Sequence, residues 1–171
     1  AQTVIDILAD RDKLEVDNVA EAMEKLIADG YGTVVVQPTH IMAGAEYDDV
    51  VATVNSYSKY ISSLTISEPV LMDSEDYVDV VDAVAANVSE AGADDVAVVL
   101  MGHGTHHAAN STYSQLQNTF WSEGYENVFV GTVEGFPTYD DVLAQLKALG
   151  AKKVVMYPFM IVAGDHANND M

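Results

Sequence analysis

The run Val96-Ala97-Val98-Val99-Leu100-Met101, ending in Gly102-His103-Gly104, constrains this chain more than any other stretch. A short valine-rich run without alternation reads as a strand buried on both faces of a parallel sheet, because a strand with one wet face would alternate polar and apolar side chains. The two glycines let the backbone turn tightly at the carboxyl end of that strand. Open α/β sheets bind their ligands at that end. His103 stands in the turn and His106 and His107 follow, so three of the five histidines fall in one short stretch.

The remaining segments fit the same plan. Thr3 to Leu8 reads as the end of a helix, and Asp17 offers an N-cap for a second one carrying Val19, Ala22, Met23, Leu26 and Ile27 at helical spacing, with Gly30 as its stop. Short strands are predicted at Thr33 to Gln37, Leu64 to Ser67, Val128 to Thr132 and Lys153 to Tyr157. Between them lie helical stripes: Val50, Val51, Val54 and Ile61; Tyr77, Val80, Val81, Val84 and Val88; Tyr113, Leu116 and Phe120; Val142, Leu143, Leu146 and Leu149. Asn110 or Ser111 is the expected cap of the third of these helices, and Tyr113, Phe120 and Trp121 are expected in the core. Alternating strands and helices of this length imply right-handed crossovers and parallel sheets flanked by helices, an α/β fold.

A repeat divides the chain. Shifting the sequence by 120 positions lays Gly30, Val34, Val35, Pro38, Ile41, Ala43 and Gly44 on Gly150, Val154, Val155, Pro158, Ile161, Ala163 and Gly164. A period this long suggests two similar α/β halves, placed at residues 1–91 and 92–171. The same shift sets Glu46 on His166. By this comparison the first half lacks its leading strands and the second lacks a closing helix, so the sequence is expected to be an internal piece of a longer protein. A cytoplasmic location is expected, with a periplasmic one left open by the missing start.

A net charge of -20, from 27 acidic against 7 basic residues, argues against nucleic-acid phosphates and anionic membranes as partners. Such a surplus also suits a protein that works in high salt, where self-repulsion is screened. With no cysteine, any metal must be held by His, Asp, Glu or backbone oxygen, a set that suits divalent cobalt, nickel, iron or zinc.

Three strand ends in the second half each deliver one metal-capable side chain, His103, Glu134 and His166, each flanked by glycine. Two imidazoles and a carboxylate can bind a divalent transition metal without saturating it. Small neighbours would leave room for a flat ligand. Each residue taken singly also has an ordinary structural role open to it. His106 and His107 at a helix start serve equally as cap or solvent-facing residues.

The segments Met101-Gly102-His103-Gly104-Thr105-His106-His107, Gly131-Thr132-Val133-Glu134-Gly135-Phe136-Pro137 and Pro158 to Met171, with Pro38-Thr39-His40-Ile41 and Gly44-Ala45-Glu46-Tyr47, resemble the anaerobic sirohydrochlorin cobaltochelatases over essentially the whole chain. The resemblance implies a class II chelatase fold: two similar α/β halves with parallel sheets flanked by helices and a cleft between them. It implies insertion of Co2+ into sirohydrochlorin without ATP or organic cofactor, with Fe2+ and Ni2+ as other metals the ligands would accept. His103 and His166 then match the metal-binding and catalytic histidines, and Glu134 the ligating or proton-accepting acid. Glu46, His40 and Gly104 would border the substrate, and a homo-oligomer is compatible with the family. A metal or tetrapyrrole carrier and a metal-dependent hydrolase are the competing functions.

Overall fold

The computed structural model describes residues 2–161. Contacts divide the chain into two units: the chain up to Pro38 together with Ala45–Glu68, and Thr39–Gly44 together with the chain from Pro69 onward.

In the first unit, α1 (Gln2–Ile7) runs into a π-helical turn at Leu8–Asp12, which Lys13 closes in a left-handed conformation. The helix α2 (Val19–Ala28) starts from Asn18, not from Asp17 as the sequence suggested. Asn18 accepts a hydrogen bond from the Glu21 N–H at 3.0 Å while the Glu21 carboxylate accepts from the Asn18 N–H at 2.9 Å, so two orphan donors are met by one reciprocal pair. Asp17 instead pairs with Lys25 on the surface. The strands β1 (Thr33–Val36) and β2 (Ser63–Ile66) run parallel, and α3 (Ala45–Ser56) connects them. Met23, Val34, Val54 and Ile61 form the core of this unit. Ile61 lies beyond the end of α3, after a turn of 3-10 helix at Ser58–Tyr60, yet packs in the same cluster as Val54.

The second unit contains α4 (Ser74–Asn87), β3 (Val96–Gly102), α5 (Ser111–Ser122), β4 (Val128–Thr132), α6 (Tyr139–Leu149) and β5 (Lys153–Pro158). Its sheet has the order β4-β3-β5 and is parallel throughout. Successive residues of β3 point to opposite faces. Val98 and Leu100 meet Tyr77 and Val81 of α4 and Tyr113, Leu116 and Phe120 of α5, whereas Ala97, Val99 and Met101 meet Val142 of α6. Covering both faces explains the unbroken apolar run, and full burial of Leu116 and Phe120 contributes about 1.5–3 kcal/mol each over leaving them exposed.

The free side of β4 is closed by a side chain. Gln117, 5% exposed, donates from Nε2 to the Val128 carbonyl at 2.7 Å and accepts at Oε1 from the Val130 N–H at 2.6 Å. A neighbouring parallel strand would use those same two groups. Trp121 Nε1–H adds a second bond to the Val128 carbonyl, and its ring is partly exposed rather than in the core. On the other side of the sheet, β5 leaves Val154 and Met156 exposed. Among the described residues, no helix is long and apolar enough to cross a membrane.

Candidate functional site

The carboxyl ends of β3 and β4 are held together beyond the sheet. After the last paired residues, Gly102 and Thr132, the Val133 N–H donates to the Gly102 carbonyl at 3.1 Å and the Glu134 N–H to the His103 carbonyl at 2.8 Å. His103 and Glu134 therefore stand side by side on one rim, both exposed. The chain leaving β5 joins the other flank of β3, where the Phe159 N–H donates to the Met101 carbonyl at 2.7 Å. That segment leads toward His166, which lies outside the described residues. Among the described residues, no group of three or more His, Asp or Glu side chains is gathered in a metal-binding arrangement.

His103 Nδ1 lies 3.0 Å from the Gly104 carbonyl oxygen. A carbonyl can only accept, so Nδ1 carries the hydrogen in the neutral ring, and the lone pair is left on Nε2. This is the tautomer an imidazole needs in order to bind a metal through Nε2.

Glycines at this rim serve close packing of the protein at the positions their Cβ atoms would take. A Cβ on Gly102 would enter the Tyr113 ring, and one on Gly131 would come within 2.8 Å of Val142 Cγ2 and 2.9 Å of Met101 Sδ. Gly104 has φ +86°, and its Cβ would stand 2.5 Å from the Gly135 nitrogen. A Cβ on Gly135 would strike Asn110 Oδ1. The sequence suggested that these small residues leave room for a ligand; in those directions the room is filled by the Tyr113 ring, the Val142 and Met101 side chains, backbone and the Asn110 amide.

Two residues at the start of α5 have roles the sequence did not disclose. Tyr113, 3% exposed, accepts a hydrogen bond at its phenol oxygen from the Gly104 N–H at 3.2 Å. Burial pushes the phenol pKa up, while backbone N–H groups of Gly104 and His103 oppose the shift. Asn110 makes no capping bond to α5; its side chain accepts from the Thr105 N–H and donates to the Phe136 carbonyl. His107 caps the preceding 3-10 turn, Ala108–Asn110, by accepting at Nδ1 from the Ala109 N–H at 3.1 Å. His106 is exposed beside it. A tyrosine and an asparagine following a Gly-His-Gly turn were the available signal, but helical spacing alone assigns them to core and cap.

The remaining expected site residues fall elsewhere on the chain. Glu46 is exposed in the first turn of α3, in the first unit. His40 is half-buried in Thr39–Gly44, and its carbonyl accepts from the Val70 N–H.

Parallel strands flanked by helices, two of whose ends present a histidine and a carboxylate, make this an α/β protein whose fold is shared with "SirB from Bacillus subtilis with Fe3+": TM-score 0.67 at 19% identity, covering 92% of this chain and 64% of that one. A family model described as "Cobalt chelatase (CbiK)" matches residues 1–171. The chain belongs to the cobalt chelatase family. It is 34% identical over 168 residues to the sirohydrochlorin cobaltochelatase of Salmonella typhimurium, covering 98% of this chain and 63% of that protein. To the sirohydrochlorin cobaltochelatase CbiKC of Nitratidesulfovibrio vulgaris it is 36% identical over 157 residues, with 91% of this chain and 55% of the relative covered. The chain thus spans less than two thirds of the length of these curated relatives.

Proposed function

We propose that the protein inserts Co2+ into sirohydrochlorin without ATP, with the metal and the tetrapyrrole both as substrates. The observation that carries this reading is the pairing of His103 and Glu134 on adjacent strand ends in a member of the cobalt chelatase family. Insertion requires removal of the pyrrole N–H protons and stepwise exchange of the metal's ligands, so the protein must hold the ion loosely. His103 would supply one bond through Nε2, a reading supported by the contact of Nδ1 with the Gly104 carbonyl. Glu134 supplies a second bond or takes up a pyrrole proton, a task for a carboxylate within hydrogen-bond reach of the ring. His166 is the third member of the proposed set. Divalent iron and nickel suit the same donors, so cobalt preference follows from the family rather than from the ligand types.

The test is optical. Sirohydrochlorin and Co2+ are incubated with catalytic amounts of protein, and the tetrapyrrole spectrum is followed. Many turnovers per chain support insertion, one stoichiometric change would make the protein a carrier, and no change would sink the reading. His103→Ala should lower the rate by at least about 10-fold with the circular dichroism unchanged, since even groups that only orient a metal ligand typically change affinity or activity by about 10–100-fold when removed.

A further inference from the structure

We infer that Asn110 is a positioning residue that fixes the spacing between His103 and Glu134. The inference rests on the metal-insertion reading above and goes beyond it. Asn110 Oδ1 accepts from the Thr105 N–H at 3.1 Å, in the loop that carries His103. From Nδ2 it donates to the Phe136 carbonyl at 2.7 Å, in the loop that carries Glu134. One planar amide therefore ties both loops, two residues from each candidate ligand.

Its surroundings leave the amide little choice of position. A Cβ on Gly135 would strike Asn110 Oδ1, and a Cβ on Gly104 would meet the Gly135 backbone. Gly104, Gly135 and the amide are stacked without intervening side chains. Backbone bonds from Val133 to Gly102 and from Glu134 to His103 join the strand ends up to the candidate ligands, and the amide adds a tie beyond them, where the two loops would otherwise diverge. A cap would not need the Phe136 contact at all, and Asn110 makes no capping bond.

Outer groups that orient metal ligands typically change metal affinity by about 10–100-fold when removed. Asn110→Ala should therefore weaken Co2+ binding by about that factor, measured by titration of the full chain with Co2+ alone, and should raise the KM for Co2+ more than it lowers kcat. The decisive reading is a double-mutant cycle. In a Glu134→Gln background, Asn110→Ala should have little further effect on Co2+ affinity, because there is no carboxylate left to position. A merely structural asparagine would cost the same in both backgrounds, and that result would overturn the inference. Gly135→Ala, which displaces the amide without removing a polar group, should weaken Co2+ binding in the same direction; wild-type affinity in that variant would also overturn it. Should the wild-type chain fail to bind or insert cobalt, both this inference and the proposed function fall. Wild-type turnover with an unaffected Asn110→Ala removes the inference alone.

Discussion

Tyr113 shows how a single side chain can serve core and rim together. Its ring fills the space that glycine leaves at position 102, and its oxygen is the acceptor for the Gly104 N–H next to His103. Tyr113→Phe keeps the packing but strands a buried donor, so it should lower stability by about 1–3 kcal/mol in urea unfolding. Above pH about 10 the wild type carries a further liability. The folded-state pKa is raised, so the contribution of the neutral phenol is complete below the unfolded value and is lost as pH rises through the folded one. The stability difference between wild type and Tyr113→Phe should therefore narrow at alkaline pH. None of this is legible in a stripe of Tyr113, Leu116 and Phe120, because helical spacing reports which face is buried and not what a polar tip finds there. The placement of His103 and Glu134 at neighbouring strand ends was legible, since each follows a predicted strand. The work of the glycines beside them was not, because the atoms they make room for come from distant parts of the chain.

At the scale of elements, strands are where the sequence was most informative. A valine-rich run covered on both faces became β3, with both layers of helices in place. Helix starts were less accessible: Asp17 and Asn18 are chemically equivalent caps, and what separates them is Glu21, three residues after Asn18, closing the reciprocal pair. The same device opens α4 through Asp73 and Asp76 and opens α6 through Thr138 and Asp141. Thr138→Ala should cost about 1 kcal/mol, whereas Asp17→Ala, which loses only an exposed ion pair, should cost less than about 0.5 kcal/mol. Bonds from the Thr138 hydroxyl and backbone hold the Asp141 carboxyl below the usual range, and backbone N–H groups of Asp73 and Met72 do the same for Asp76. Depressed folded-state values mean that these carboxylates stabilise the fold fully above the unfolded pKa near 4. Their contribution disappears as pH falls through the folded values. Urea midpoints of wild type and Asp141→Asn should thus differ at pH 7 and converge toward pH 3.

For the whole molecule, the charge of -20 sets a condition on every measurement. Repulsion among carboxylates is screened over about 10 Å at 0.1 M salt and about 3 Å at 1 M, so the melting temperature should rise between dilute buffer and molar salt. A flat response would show that the surplus is locally compensated. The Gln117 amide on β4 has a reach beyond its own helix. A sheet can recruit further chains only through an edge with free backbone groups, and an endless fibre needs two such edges on each molecule. In the second unit the β4 edge is already occupied at Val128 and Val130, whereas β5 has a pairing partner on one side only among the described residues. The amide therefore closes the β4 edge at Val128 and Val130 to a further strand. Gln117→Ala should uncover that edge, and light scattering on concentrated, partly destabilised protein should then report more association than in the wild type.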